Sequence, residues 1–499
     1  MSPITVIITI VAYIAVLFAV AWITERRADN ADYFYGGHRS PWFVAMLGMV
    51  SAAMSGVTFI SVPGSVAISG FSYLQMVLGF IVGYLVIAFV LVPLFYRFKV
   101  ISLYEYLEER FGIGTHLTGA SFFLLSRTLL TALRGYVVCT VLQMLVFDHY
   151  GVPFAVNAMM FILLVWLYSH RGGVRTIVWT DILRTFSLIG TLILCIVLIA
   201  RSEGFSLGEM VTTIADHPYS KIWFVDDWND SRHLIKQFVA GVFMVIAMTG
   251  LDQDMMQRTL SCRSKGDAQR NLVTAVLLQS VVIVLFLALG VMLYIHLERA
   301  GVCAGAKSTF PMVTSDGTAI IGKSDHVFPY VATSGSLPVA IGILFVLGLI
   351  SSTYSSTGSA LTALTTAFTI DILHGRERFG EEQLRRVRRG VNGVVAVVLM
   401  GLIILFDNIG NNNILDTFYS VASYTYGPLL GMFAFGICSR RKIRDSLTPA
   451  IAIASPLLCL LLQHHAEEWF GGYRFGFEIL IINALLTMMG LALISRKKQ

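Results

Sequence analysis

The amino-acid sequence predicts an all-α polytopic membrane protein with about thirteen transmembrane helices. Of its 499 residues, 56% are hydrophobic and only 13% are charged, whereas an average soluble domain carries about 25% charged residues. Apolar runs close to the ~20 residues that a helix needs to cross a bilayer recur along the chain. This composition excludes a soluble enzyme and a nucleic-acid-binding protein, and the net charge of +6 requires no acidic partner.

The predicted spans leave only two long loops, at 201–235 and 298–336. Most of the 36 Lys and Arg residues, including Arg258 after the seventh span, fall on one face if the N-terminus lies outside. We therefore expect a single-domain (1–499), multi-pass inner-membrane protein with a cytoplasmic C-terminus. The spans are 4–24, 42–69, 73–97, 117–147, 154–170, 176–200, 236–257, 270–297, 337–373, 390–408, 414–438, 447–463 and 475–495.

Two of the predicted spans contain an interruption. The second carries Gly56 in its middle and Pro63-Gly64 near its end, and the seventh has its weak point at Thr249 and Gly250. Glycine and proline inside an apolar helix indicate a kink or a break, and broken helices at corresponding positions of two repeats mark a transporter's mid-membrane site. The spacing predicts two five-helix halves of opposite topology, 42–200 and 236–438, with 4–24 before them and 447–495 after them.

A row of hydroxyls lies on one face of the ninth span. Ser352, Ser355, Ser356 and Ser359 are spaced i, i+3, i+4 and i+7. Hydroxyl groups in hydrocarbon need partners. Two interpretations remain open from the residues alone: packing of neighbouring helices through small polar side chains, or ligands for an ion.

Ionisable residues inside predicted spans indicate function or structural pairing, and Asp181 and Arg134 are the main candidates. Asp181 in the sixth span needs a cation or a proton, and Arg184 at i+3 is a candidate partner. Arg134 in the fourth span has no acid within a turn or two. It therefore needs an anion from another helix or a substrate carboxylate, which a guanidinium binds with two hydrogen bonds.

No enzyme chemistry is apparent in the spans. The six cysteines show no spacing typical of disulfides or a metal site. His464-His465 is predicted to be a solvated turn beside Glu467 and Glu468, and the spans contain no Ser/His/Asp arrangement.

Four stretches together resemble the sodium:solute symporter family, and the resemblance extends from the first span to the eleventh. They are the polar second span ending in Pro63-Gly64, Gly172-Gly173 with Trp179-Thr180-Asp181, Asp252-Gln253 with Gln257-Arg258, and Ser355-Ser356 through Ser359-Ala360-Leu361 to Phe368-Thr369-Ile370-Asp371-Ile372. The family implies a five-plus-five inverted-repeat core that couples solute uptake to sodium entry. It also implies a main sodium site of backbone carbonyl and hydroxyl oxygens, which align with Ser51, Met54, Ser352, Ser355 and Ser356.

The resemblance also suggests a second sodium ion. Some members, notably bacterial sialic acid symporters, bind it with residues that align with Asp181, Ser355, Gly358 and Ser359. Gly358 supplies no hydroxyl, and Arg184 stands where relatives often carry glutamine, so the sequence departs from the pattern at both positions.

The substrate candidates likewise follow from the resemblance. Sialic acid symporters bind the substrate carboxylate with an arginine at the position of Arg134, together with residues that align with Ser55, Thr58 and Gln75. Thr249, at the second interruption, completes the set. Sialic acid is the leading expectation, ahead of monocarboxylates, amino acids, and inositols or other sugars. The alternatives are a sodium/neutral sugar or inositol symporter, a proton-coupled carrier that uses Asp181, and a substrate-sensing membrane protein. No obligate protein partner is expected.

Overall fold

The computed structural model describes residues 1–25, 41–98, 103–169, 174–305, 309–314, 316–409 and 414–496. Most of this part of the chain is helical, which confirms the predicted all-α membrane architecture. The α-helices are Pro3–Glu25, Trp42–Ala53, Gly56–Gly64, Val66–Ser69, Tyr73–Val86, Val92–Phe98, Glu105–Arg110, Ile113–Leu142, Phe154–Ser169, Val174–Ser202, Leu207–Asp216, Leu234–Val245, Gln253–Leu260, Lys265–Arg299, Val327–Thr333, Val339–Ala367, Gly375–Arg378, Glu381–Ile409, Ile414–Cys438, Thr448–His464, Ala466–Trp469 and Ile479–Leu493. Single π-helical turns span Ile87–Leu91, Gln143–Phe147, Ile246–Gly250 and Phe368–Ile372.

The predicted count of thirteen membrane-crossing helices is not confirmed in the described residues. Within the described ranges, eight helices are long and apolar enough to cross a membrane, or ten if each of two bent pairs is one span. The three remaining predicted spans contain the shorter apolar stretches Pro3–Val16, Phe154–Leu167 and Ile479–Leu493. Every predicted span thus coincides with a helix, but only ten meet the criterion for crossing.

The two interrupted spans are bent, although the first break is not where glycine and proline placed it. The first broken helix consists of Trp42–Ala53 and Gly56–Gly64, which meet at 58°. Met54 and Ser55 have extended backbones, and a reciprocal capping box between Ser55 and Thr58 starts the second half. The break therefore precedes Gly56, and the second half of the helix includes Pro63.

The second broken helix consists of Leu234–Gly250 and Gln253–Leu260, which meet at 72°. Asp252 caps its second half by accepting a hydrogen bond from the Met255 amide at 3.2 Å. The expected weak point, Thr249 and Gly250, lies in the π turn immediately before the break. A side chain that caps the following helix thus fixes the position of each interruption.

The helix that begins at Tyr73 packs backbone to backbone on the first half of the second broken helix. A Cβ atom on Gly79 would overlap the Phe238 carbonyl oxygen, and one on Gly241 would overlap the Met76 carbonyl oxygen. Glycines on both surfaces allow this close approach, as small residues do between membrane helices.

The two long loops contain structure that the sequence analysis did not predict. The first holds the helix Leu207–Asp216, which starts with a capping box between Ser206 and Glu209. The second holds an antiparallel sheet of three strands, Val302–Gly305, Thr309–Thr314 and Ala319–Ile321. A two-residue pairing of Lys442–Ile443 with Ser495–Arg496 adds a small second sheet.

Asp325, which follows the three-stranded sheet, joins the second loop to the helical core. It is 3% exposed, and its carboxyl accepts a hydrogen bond from the Ile414 amide at 3.1 Å. Close by, a Cβ atom on Gly64 would overlap the Ser324 carbonyl oxygen. Burial raises the pKa of Asp325 to about 6.

We expect Asp325→Asn to raise the thermal unfolding temperature by roughly 2–4 °C at about pH 8. The pKa of the Asp325 carboxyl is about 6 in the folded protein and about 3.9 in the unfolded chain. The neutral carboxyl therefore stabilises the folded state fully below about pH 3.9, and this contribution is lost as the pH rises through about 6. Asparagine is never charged and keeps an oxygen for the Ile414 amide. The difference between variant and parent should shrink below about pH 4.

Asp316→Asn in the same loop is the matched control. Its exposed carboxylate accepts hydrogen bonds from the Thr314 hydroxyl and, at 3.0 Å, from the Thr318 amide, and these lower its pKa. That variant should show no increase in unfolding temperature. Equal behaviour of the two variants would contradict this account of Asp325.

Candidate ion and solute site

The break of the first broken helix faces the serine-rich helix Val339–Ala367. A Cβ atom on Gly56 would overlap Thr353 Oγ1 and would lie 3.2 Å from Val138 Cγ2. No side chain fits between the two helices at this point, so the unwound Met54 and Ser55 lie close to the serines. Carbonyl groups at the end of a helix lack helical partners and are free to accept other ligands.

The serine hydroxyls at this contact are buried and bonded within their own helix. Ser352 Oγ donates to the Leu349 carbonyl at 2.8 Å, and Ser356 Oγ donates to the Ser352 and Thr353 carbonyls at 2.9 and 3.0 Å. A hydroxyl that donates to a carbonyl keeps its lone pairs for a cation. The Ser355 side chain lies outside the part of the chain that the structure describes.

Arg184 reaches the same break from the helix Val174–Ser202. Its guanidinium donates a hydrogen bond to the Met54 carbonyl and is 1% exposed. Its Nη1 also lies 3.9 Å from Asp181 Oδ1. One carbonyl that the resemblance assigns to sodium therefore already accepts a hydrogen bond from a resident cation.

Asp181 and Arg184 form the expected pair at 3.9 Å, but Asp181 also has a closer cationic partner that the sequence analysis did not identify. Arg258 Nη1 forms an ion pair with Asp181 Oδ2, and the Ser51 hydroxyl donates to Asp181 Oδ1 at 3.3 Å. The sequence analysis placed Arg258 in a cytoplasmic loop. Its guanidinium instead turns inward from the helix Gln253–Leu260 and is only 14% exposed.

Arg258 belongs to a charged network that crosses several helices. Its Nη2 donates to Ser359 Oγ at 2.6 Å, and Ser359 in turn donates to Asp254 at 3.2 Å. Arg127 pairs with Asp254 at 2.7 Å and with Asp252 at 3.2 Å. The network contains three carboxylates and three guanidinium groups: Asp181, Asp252, Asp254, Arg127, Arg184 and Arg258.

A cavity with a mixed polar and apolar lining lies beside the first break, with Met54 and Ser55 in its wall. It comprises about 360 Å³ of empty space, part of it open to solvent. Three of the five predicted substrate residues line it: Ser55, Thr58 and Arg134. The sequence analysis did not identify the other polar and aromatic residues of the wall as a site. They are Tyr73, Gln279, Phe418 and Tyr419.

Arg134 is the cationic group of this cavity. It is 6% exposed, and its guanidinium carbon lies 5.2 Å from the centre of the Phe418 ring. Among the described residues, no carboxylate lies within ion-pair distance of it. A guanidinium in this position can hold an incoming anion.

Gln75 and Thr249 do not line the cavity. The Gln75 amide donates to the Arg232 carbonyl at 2.8 Å and accepts from the Phe224 amide at 3.2 Å, so it anchors the first long loop. Thr249 is buried beside Tyr84, whose hydroxyl donates to Gln279 at 3.3 Å. Thr249 therefore lies behind the cavity wall, and Gln75 is occupied elsewhere.

Two tyrosines of the cavity wall are bonded to each other. The Tyr73 and Tyr419 hydroxyls are hydrogen-bonded at 2.7 Å, and both side chains line the cavity. Each residue lies near the beginning of its own helix, at Tyr73–Val86 and Ile414–Cys438. A single hydrogen bond thus connects two spans across the cavity.

A polytopic helical protein with two broken spans, and with a cavity that contains a buried cation beside one break, has the architecture of a secondary transporter. The model of the sodium:solute symporter family matches residues 33–445, and the chain belongs to this family. It is therefore a sodium-coupled solute symporter and not an enzyme, and sodium is its co-transported ion.

Similar proteins support this assignment. The sodium/sialic acid symporter of Proteus mirabilis (strain HI4320) is 26% identical over 467 residues, which cover 91% of this chain and 88% of the relative. The sodium/glucose cotransporter of Vibrio parahaemolyticus is 24% identical over 480 residues, covering 90% and 83%. A substrate-bound, outward-open structure of a Na+-coupled sialic acid symporter matches with a TM-score of 0.79 at 21% identity, covering 99% of both chains, so the fold is shared.

We expect Gly56→Ala to destabilise the protein by about 1–3 kcal/mol, because the added methyl group would overlap Thr353. Thermal unfolding of the purified protein measures the loss. Gly401→Ala is the matched control, since nothing lies within 4 Å of the corresponding Cβ position in the helix Glu381–Ile409. A loss of the same size in both variants would show that the contact at the break is not tight.

Proposed function

We propose that this symporter imports a small organic carboxylate with sodium, and that sialic acid is its first candidate substrate. The observation that carries the proposal is the buried Arg134, which lines the cavity without a carboxylate partner in the described chain. A mid-membrane guanidinium costs ~2.5–3.5 kcal/mol even on insertion scales. A substrate carboxylate would offset that cost through two charge-assisted hydrogen bonds.

The remaining cavity wall suits a polyhydroxylated body. Ser55, Thr58 and Gln279 offer hydroxyl and amide groups, and the aromatic rings of Phe418 and Tyr419 offer flat apolar surface. Ligand sites in proteins combine apolar walls with a few placed polar groups in this way. The similar Proteus mirabilis protein, named a sodium/sialic acid symporter, supports the same substrate.

A neutral sugar is the second candidate, because the chain is almost as similar to a sodium/glucose cotransporter. Arg134 weighs against it, since a neutral sugar would leave the guanidinium without an anion. The two candidates differ in one measurable property, the dependence of binding on a carboxylate.

We infer transport by alternating access between two five-helix halves, 42–200 and 236–438, in the inner membrane. The distribution of Lys and Arg supports an orientation with the N-terminus outside and the C-terminus in the cytoplasm. With that orientation, Tyr73 and Tyr419 lie at the outer end of the cavity, and their hydrogen bond closes it to the outside. Sodium would bind between the first broken helix and the serine-rich helix through oxygen ligands of Ser51, Met54, Ser352, Ser355 and Ser356.

We expect Ser356→Ala to raise the sodium concentration for half-maximal sialic acid uptake about tenfold, corresponding to ~1.4 kcal/mol for one lost oxygen ligand. Uptake into vesicles with an inward sodium gradient measures the effect. Thr362→Ala on the same helix is the matched control, because its hydroxyl also donates to a backbone carbonyl, that of Gly358 at 3.1 Å. Uptake that ignores sodium and follows a pH gradient would favour the proton-coupled alternative.

We expect Arg134→Lys to weaken sialic acid binding by an amount on the order of 2–5 kcal/mol, because an ammonium group cannot reproduce the two-pronged contact. Binding at saturating sodium, followed by calorimetry or thermal shift, measures the loss. The amide analogue of sialic acid should bind the parent weakly and lose little more in the variant. Sodium binding without solute should change far less.

Arg299→Lys controls for the exchange of arginine for lysine, since this residue lies at a helix end and pairs with Glu203. It should leave sialic acid binding unchanged. If Arg134→Lys weakens the acid and its amide equally, then Arg134 is structural, and the neutral sugar becomes the leading candidate.

A further inference from the structure

Arg258 occupies the space between two of the side chains that the resemblance assigns to a second sodium ion. Its Nη1 is paired with Asp181 Oδ2, and its Nη2 donates to Ser359 Oγ at 2.6 Å. A guanidinium only donates hydrogen bonds, so both oxygens direct lone pairs at it as they would at a metal ion. One covalently attached cation thus bridges both candidate ligands.

The second oxygen of the Asp181 carboxylate is also engaged. Asp181 Oδ1 accepts from the Ser51 hydroxyl at 3.3 Å and lies 3.9 Å from Arg184 Nη1. A sodium ion at Asp181 would have to displace one of these groups. Gly358 is the other described residue that the resemblance assigns to the second sodium ion, and it has no side-chain oxygen.

The network has no excess negative charge that a further cation could neutralise. Three carboxylates face three guanidinium groups, and the side chains of Asp181 and Arg184 are each 1% exposed. A sodium ion added here would leave a net positive charge away from water, where uncompensated charge is costly. Removal of one guanidinium would create the negative charge that attracts sodium.

Arg184 connects this network to the break of the first broken helix. The same side chain that lies near Asp181 donates to the Met54 carbonyl. Its positive charge therefore acts on both places at which the resemblance puts sodium.

We infer that the guanidinium groups of Arg184 and Arg258 take the place of a second sodium ion, so that this symporter couples one sodium ion to each solute. The inference rests on the proposed main sodium site at Met54 and the serine-rich helix. It assigns to two residues of this chain a role in setting the ion stoichiometry.

The test is the number of sodium ions bound per protein, measured with radiolabelled sodium on the purified chain without solute, with choline chloride holding the ionic strength constant. We expect one ion in the parent. Arg184→Gln should bind two, because the network then carries one net negative charge at Asp181. The charge-neutral double variant Asp181→Asn/Arg184→Gln should return to one.

Arg258→Gln provides a second route if Arg184→Gln fails to fold, since it also removes one positive charge from Asp181 and frees Ser359. It should likewise gain one sodium ion. Arg299→Gln, at the end of the helix Lys265–Arg299, is the matched control and should remain at one.

Two results would overturn the inference. One is a parent that binds two sodium ions and loses one in Asp181→Asn/Arg184→Gln, because the carboxylate would then hold sodium in the native chain. The other is a folded Arg184→Gln or Arg258→Gln variant that gains no ion. A third result separates the two proposals. If the parent binds no sodium and Arg184→Gln binds one ion, the main site is refuted and the role of the guanidinium groups is supported.

Discussion

The arrangement of this protein depends on one constraint: the backbone groups of a helix that is interrupted inside a membrane must find hydrogen-bond partners. The unwound Met54 and Ser55 leave backbone groups without helical partners, and hydrocarbon offers none. Ser55 meets part of the need by capping the following helix with Thr58, and Arg184 meets another part through the Met54 carbonyl. Gly56 then allows the serine-rich helix to approach the break closely.

The use of a guanidinium at the break brings further charges with it. Arg184 is balanced by Asp181, Asp181 by Arg258, and Arg258 by Asp254, which also faces Arg127. Each buried charge requires the next, because an isolated ion in the interior is far more costly than a paired one. The result is a continuous network of ion pairs and hydrogen bonds that connects both broken helices with three neighbouring helices.

The sequence predicted the features that the bilayer imposes. Apolar runs predicted where the helices lie. Residues that are costly in a membrane, such as Arg134, indicated where the cavity lies. Features fixed by tertiary contacts were missed. The first break lies before Gly56 because capping by Ser55 determines where the second half of the helix begins. The Gln75 side chain forms a hydrogen bond with a loop carbonyl 157 positions away in the chain. Arg258 was assigned to a loop because a cation near a helix end has the same sequence signature whether it faces solvent or a buried acid.

The close glycine contacts at Gly79 and Gly241 have a mechanical consequence. With backbone packed on backbone, the helix that begins at Tyr73 and the first half of the second broken helix cannot slide past each other without a clash. They must travel as one rigid body. If Tyr73 moves away from Tyr419, we expect both helices to move with it, and the extended backbone at Asp252 is a place where such a motion could bend the chain.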